Sequence, residues 1–223
     1  MRSYSLLMNS VAMEELRRQM RVKFPQAHVV REEVSEESGC GLFDVGMFPA
    51  GAISEVVPAV KFSGISLMVA GLLENEGVEE AGGYRMVLVD GADGFDPGSF
   101  SDEACGRMLW VRCRCAMEMV KAADLLVHDG NMPFILLDAL GLARRDLVKV
   151  PASAWWRLRQ VAERTGCRLV VMVEQPLVPC ASLRVGLNAR LRLEDFDVER
   201  EELLGRLEIS KLKFQNSSGR RMG

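Results

Sequence analysis

Gly64 and Ser66 fall at the end of a short loop, Ala59 to Ser66, that also carries Lys61 and Ser63. An apolar β-rich run precedes the loop and an apolar helical run follows it. A strand, a tight loop and a helix start in that order form the usual cradle for nucleotide phosphates. The working version reads Gly-x4-Gly-Lys-Ser/Thr: glycines let backbone N–H groups converge, the lysine neutralises the β and γ phosphates, and the hydroxyl binds Mg²⁺. In the best register, Ala59 stands at the first glycine and Ile65 at the lysine. Gly64 and Ser66 remain. Lys61 is basic but lies inside the loop, not at the helix start. The spacing therefore predicts a degenerate cradle: an empty or closed loop, with Ile65 packed inward or against Ala59 and Phe62.

Other chemistry-bearing residues follow later. Asp138 ends the apolar run F-I-L-L-D, the place of a carboxylate that polarises water on a bound Mg²⁺; buried strands also end in Asp simply to cap the chain. Asp90, Asp93 and Asp96 cluster with glycines, a composition that favours turns. His28 and His128 stand in no metal-ligand spacing, and no Gly-x-Ser-x-Gly elbow anchors a hydrolase triad. No catalytic residue and no metal site is assigned. Arg144, Arg145 and Lys149 form a local basic group, read as a solvated loop or as a contact for phosphate or an acidic partner. The six cysteines, Cys40, Cys105, Cys113, Cys115, Cys167 and Cys180, include no C-x-x-C pair, and they read as reduced, mostly buried thiols.

These residues need elements to hold them. The chain has 223 residues, 48% hydrophobic and 26% charged, enough for one sizeable core. A net charge of −3 gives no global attraction to nucleic acid. No basic-then-apolar leader and no long apolar span is seen, so a cytoplasmic location is expected, with no membrane partner. Ser10 caps a predicted helix through Phe24, which Pro25 stops. Arg31 to Ser38 reads as a linker, so residues 1–38 form a separable front segment that packs on its own core or on a partner.

The main body, 39–214, is predicted as alternating strands and helices. Strands are expected at Ala52–Val57, Tyr84–Val89, Met108–Cys113, Pro133–Leu137 and Arg168–Val173. Helices are expected at Ser66–Glu76, around Phe100–Gly106, at Cys115–Val127, and after a capping Ser153. In that last helix the adjacent Trp155 and Trp156 diverge by about 100°, one toward the core and one toward a boundary. Leu183–Leu193 and Arg206–Phe214 alternate apolar with polar residues and read as antiparallel edge strands. Residues 215–223 read as a flexible tail. The alternation implies an α/β fold: a mostly parallel sheet, helices on both faces and antiparallel strands at the C-terminal end. Ligands in such sheets bind beyond the carboxyl ends of the strands, here after Val57, Val89, Leu137 and Val173.

Taken together, these stretches resemble the RecA recombinase family. The pattern of Gly41, Leu42, Asp44, Pro49, Gly51, Ile53 and Glu55 is similar to that family's entry to its P-loop strand. Ser63 to Ser66 falls where the family has S-G-K-T, and Asp90 to Pro97 resembles its D-A-E-x-x-x-D-P. Asp138 falls on the Walker B aspartate and Glu174-Gln175 on a later Asn-Gln. The resemblance spans about Gly41 to Phe214. The departures are Ile65 for the lysine, Ala92 for the catalytic glutamate, with Asp93 one residue out of register, and a short loop after Gln175.

A RecA-like core with such a site resembles the ImuA proteins of damage-induced translesion synthesis and, second, the SulA cell-division inhibitors. The ImuA resemblance implies an accessory protein of the SOS response and DNA repair that works through contacts with an ImuB-like, polymerase or recombinase partner. It implies indirect DNA association and, by analogy, a homo-oligomer through the front helix. No cofactor and no turnover are expected. The alternatives are a RecA-like ATPase binding ATP and Mg²⁺ with Lys61 replacing the lost lysine, and a SulA-like inhibitor.

Overall fold

A computed structural model of the chain describes residues 45–60, 64–74, 86–189, 191, 195 and 197–211. The front helix, the linker, the 215–223 tail, Lys61, Ser63, Cys40 and His28 lie outside the described residues.

Seven strands form one sheet: β1 (Ala52–Pro58), β2 (Met86–Asp90), β3 (Met108–Arg112), β4 (Phe134–Asp138), β5 (Arg168–Met172), β6 (Leu183–Ala189) and β7 (Leu207–Lys211). Their order is β3-β2-β4-β5-β1-β6-β7, with every neighbouring pair parallel except β6 and β7. The helices are α1 (Ile65–Glu74), α2 (Asp102–Gly106), α3 (Ala116–Asp129), α4 (Arg144–Leu147), α5 (Ala152–Thr165) and α6 (Arg200–Leu204). The α/β class, the mostly parallel sheet and the antiparallel C-terminal pair are as the sequence implies.

The central strands are apolar throughout because both faces are covered. All five residues of β2 are buried, as are Phe134 to Leu137 of β4. On one face Ile53, Val87, Val89, Ile135, Leu137 and Leu169 pack under α3 and α5, which contribute Met119, Val120, Trp155 and Leu158. On the other face Val56, Leu88, Leu136, Val170 and Leu187 pack against Ile65, Met68, Val69, Leu72 and Leu73 of α1. Trp155 is 2% exposed and Trp156 48%, the divergence expected of adjacent helical residues.

One expectation is corrected. The helix expected to start behind Ser153 starts at Ala152, with Pro151 at the N-cap and no side-chain cap bond; proline's fixed φ suits a helix entry without a hydroxyl. The expected antiparallel pairing of β6 with β7 is found, and β6 also runs parallel to β1, Ser54 to Pro58 matching Leu183 to Leu187. Val185, Gly186 and Leu187 of β6 are all buried, and Asn188 donates to Glu208 of β7 at 2.9 Å.

Candidate functional site

The loop after β1 is exposed at its first described end and packed at its last: Ala59 and Val60 are exposed, Val60 at 65%, while Gly64 and Ile65 are buried. The Ala59 amide donates to the Leu187 carbonyl of β6 at 2.7 Å, one step beyond the Pro58–Leu187 register pair. Gly64 sits at φ +75°, a conformation that L side chains rarely adopt. A Cβ there would stand 2.6 Å from Leu207 Cδ2 and 3.0 Å from Ala189 Cβ. This glycine is needed for its backbone turn and for close approach of the antiparallel β6–β7 pair. Ile65, the first residue of α1, is 7% exposed and joins the core beside Met68 and Val69. The inward packing expected of Ile65 is what is found. Ser66 and Ala59 are exposed.

The carboxyl ends of β2 and β4 bring two acids side by side, because Asp90 and Asp138 are register partners. Asp90 is 1% exposed and fully engaged: it accepts the amides of Ala92 (3.3 Å), Gly94 (3.0 Å) and Phe95 (2.9 Å), and the Trp110 indole N–H at 3.3 Å. That is turn chemistry, as the Asp-Gly composition implies. Asp138 has one described bond, from the Leu140 amide to Oδ1 at 3.0 Å. Burial pushes its pKa up to about 6; the Leu140 amide opposes the rise and the Asp90 charge adds to it.

The loops around this pair leave little space. A Cβ on Gly91 would lie 2.8 Å from the Asp138 carbonyl oxygen, and one on Gly141 would lie 2.5 Å from the Ala92 Cβ. Ala92 offers no carboxylate. The neighbouring Asp93, at φ 55°, is gripped by Arg112 in a two-pronged contact of 2.5 and 2.6 Å. The guanidinium holds that carboxyl below its ordinary range, chiefly through the hydrogen bond. Asp96 caps the 3-10 turn Pro97–Ser99 by accepting the Gly98 amide.

Glu55 is the third buried acid and was read in the sequence only as part of a pattern. It is 0% exposed in the middle of β1. Its Oε1 accepts the amides of Leu177 (2.8 Å) and Val178, and its Oε2 accepts Arg184 Nε from β6. Arg184 also donates to the Val178 carbonyl at 3.3 Å. The connection from β5 to β6 contains no helix, so its backbone polar groups need other partners. Glu55 supplies them. Nothing in the local sequence signals this, since Arg184 lies 129 positions away.

A shallow hollow beyond β4 and β5, of about 40 Å³, is lined by Leu142, Arg144, Leu147, Val173, Glu174, Gln175 and Leu177. It has room for a few waters, not for a nucleotide. The described residues therefore do not fit a nucleotide–Mg²⁺ cradle: Ile65 at the start of α1 is core, Asp93 is paired with Arg112, and Asp90 is spent on its own loop. Among the described residues, no three His, Cys, Asp or Glu side chains converge as metal ligands. The described cysteines are free thiols, and burial pushes Cys167 up to about 12. No helix among them is long and apolar enough to cross a membrane. Comparison with protein-family models and with curated proteins finds no match to this chain.

Proposed function

We propose that this chain is a RecA-like, ImuA-type accessory protein of the bacterial DNA-damage response, acting in translesion synthesis through protein contacts and without nucleotide turnover. The observation that carries the reading is Ile65. Where the resemblance implies a phosphate-binding lysine at the start of a helix, the side chain is apolar and packed into the core. A nucleoside triphosphate brings several negative charges, and a site that offers no cation there loses the main term that would hold them. The engaged Asp90 and the Arg112-gripped Asp93 support the same conclusion, since neither is available to activate a water. The mostly parallel sheet with an antiparallel C-terminal pair is compatible with the RecA resemblance.

Titration of the full chain with a fluorescent ATP analogue and Mg²⁺, alongside a hydrolysis assay, tests this. The expected result is no saturable micromolar binding and no turnover. Micromolar binding with turnover that Lys61→Ala abolishes would overturn it in favour of an atypical ATPase. A binding assay with purified candidate partners tests the rest: retention of a translesion polymerase subunit or recombinase is expected, and retention of the tubulin-like division protein instead would favour the SulA-type reading.

A further inference from the structure

The sheet ends on two strands of different character. β7 carries Glu208 and Lys211 within its five residues, and such charges blunt an edge against further pairing. β3, at the other end, reads M-L-W-V-R, with its one charge at the last position. Among the described residues, β2 is its single neighbour. The Cys113 amide donates to the Asp90 carbonyl at 2.8 Å, and backbone groups alternate sides along a strand. The amides and carbonyls of Leu109 and Val111 therefore point toward β2. Those of Met108, Trp110 and Arg112 point outward, where no described strand meets them.

This edge is apolar on both faces. Leu109 and Val111 pack on the α3 side and Trp110 on the α1 side, and all three are only half-buried, whereas every residue of β2 beside them is buried. Trp110 is held in place. Its indole N–H reaches Asp90 at 3.3 Å, the Phe95 ring meets it edge-on at 5.3 Å between centroids, and the Arg112 guanidinium lies 5.0 Å from its ring centroid. An ordered apolar edge with open backbone groups is a template for another strand. Charge decides which strand, and in which direction. Glu103 is held by Arg107, Arg112 by Asp93, and Glu118 accepts the Arg114 amide at 2.9 Å. That leaves exposed Asp102, in the helix leading into β3, at the amino end and the exposed Arg114 side chain at the carboxyl end, neither with an ion pair among the described residues. The two ends differ in sign, so a second β3 fits antiparallel, each Asp102 end beside an Arg114 end.

We propose that two copies of this chain pair through β3, antiparallel about a two-fold axis at Trp110, which joins their sheets into one. In that register Trp110 faces Trp110 and Met108 faces Arg112, with the outward backbone groups bonded in both pairs. Leu109 of one copy faces Val111 of the other in the closer, non-hydrogen-bonded pair. The interface is isologous: the same strand serves both copies. A five-residue ladder is a small contact, so the dimer is concentration-dependent rather than obligate. An extended segment of a different protein would use the same backbone groups but would not obey the 109–111 register. The pairing stands independently of whether the loop after β1 holds a nucleotide.

Analytical ultracentrifugation of the full chain between about 1 and about 200 µM is expected to show a reversible monomer–dimer equilibrium. Val111→Lys and Leu109→Glu each set a charge against an apolar side chain across the two-fold axis, and each is expected to weaken the dimer about tenfold or more. An equimolar mixture of the two variants is expected to recover it, because position 111 of one then faces position 109 of the other. Circular dichroism establishes that each variant folds. A measurement on the parent needs no variant: the Trp110 and Arg112 amides are expected to exchange with deuterium more slowly at the concentrated end than at the dilute end, while those of Leu109 and Val111 are protected at both. The proposal is overturned if the parent stays monomeric across the range, or if a dimer forms without slowing exchange at Trp110 and Arg112. It is also overturned if the folded variants dimerise no better together than alone.

Discussion

Glu55 and Asp138 are both acids set within the same sheet, two strands apart, yet the protein treats them in opposite ways. Glu55 is fully buried and has a partner for each oxygen: two loop amides and one guanidinium. Asp138 lies at a strand end with one amide as a partner and a second acid as its register neighbour. A buried charge is tolerable when its hydrogen bonds and countercharge are complete, and costly when they are not. The first region uses a carboxylate as structure. The second leaves a carboxylate with one amide to offset its burial.

The largest expected effect breaks the first side of this comparison. Glu55→Ala leaves Arg184 without its carboxylate and the Leu177 and Val178 amides without an acceptor, and is expected to destabilise the fold by about 3–5 kcal/mol. Urea unfolding followed by far-ultraviolet circular dichroism measures it. Glu55→Gln, which keeps an acceptor, should cost less.

The second side is broken in the opposite direction. The folded value for Asp138, about 6, lies above the ordinary 3.8, so the folded state retains a proton that the unfolded chain releases. The contribution to stability is greatest below about pH 4, declines as pH rises toward 6, and is flat above. At about 1.4 kcal/mol per pH unit, the gap sets a ceiling of about 3 kcal/mol. Asp138→Asn keeps the oxygen that accepts from Leu140 and is expected to raise stability at pH 7 by up to about that amount. It should also remove this part of the pH dependence between pH 4 and 6, as read from unfolding midpoints across that range. A variant no more stable than the parent at pH 7 would mean that Asp138 has a partner that offsets its burial.

Gly64→Ala gives a third expectation, of about 1–3 kcal/mol destabilisation, because it combines a positive φ with an encounter with Leu207. The smallest effect sharpens the contrast between buried and displayed groups. Trp156→Ala should shift stability by no more than about 0.5 kcal/mol, whereas Trp155→Ala, one residue away, should cost about 3–5 kcal/mol.

Much of the architecture was legible in the residues. Near-continuous apolar runs such as F-I-L-L-D mark strands covered on both faces, and the diverging Trp155 and Trp156 follow from helical geometry. The loop composition of Asp90 to Gly98 correctly implies turns, since Asp90 and Asp96 both serve neighbouring amides. Long-range pairings were not legible. That Asp90 meets Asp138, that Arg112 meets Asp93 and that Arg184 meets Glu55 depends on strand order and register, which local periodicity does not encode. The second, parallel pairing of β6 with β1 escaped for the same reason. The start of α5 at Ala152, behind Pro151, was hidden by a nearby serine with the right chemistry in the wrong position.

The packing of Gly64 and Ile65 also bears on what a single substitution there could achieve. A lysine substituted at position 65 would begin with its stem among Met68, Val69 and Leu72, and Gly64 would still be closed over by Leu187, Ala189 and Leu207. A phosphate cradle at this place would therefore take changes in α1 and in the β6–β7 pair together, because a charge brought in at position 65 alone meets an apolar neighbourhood and a covered turn.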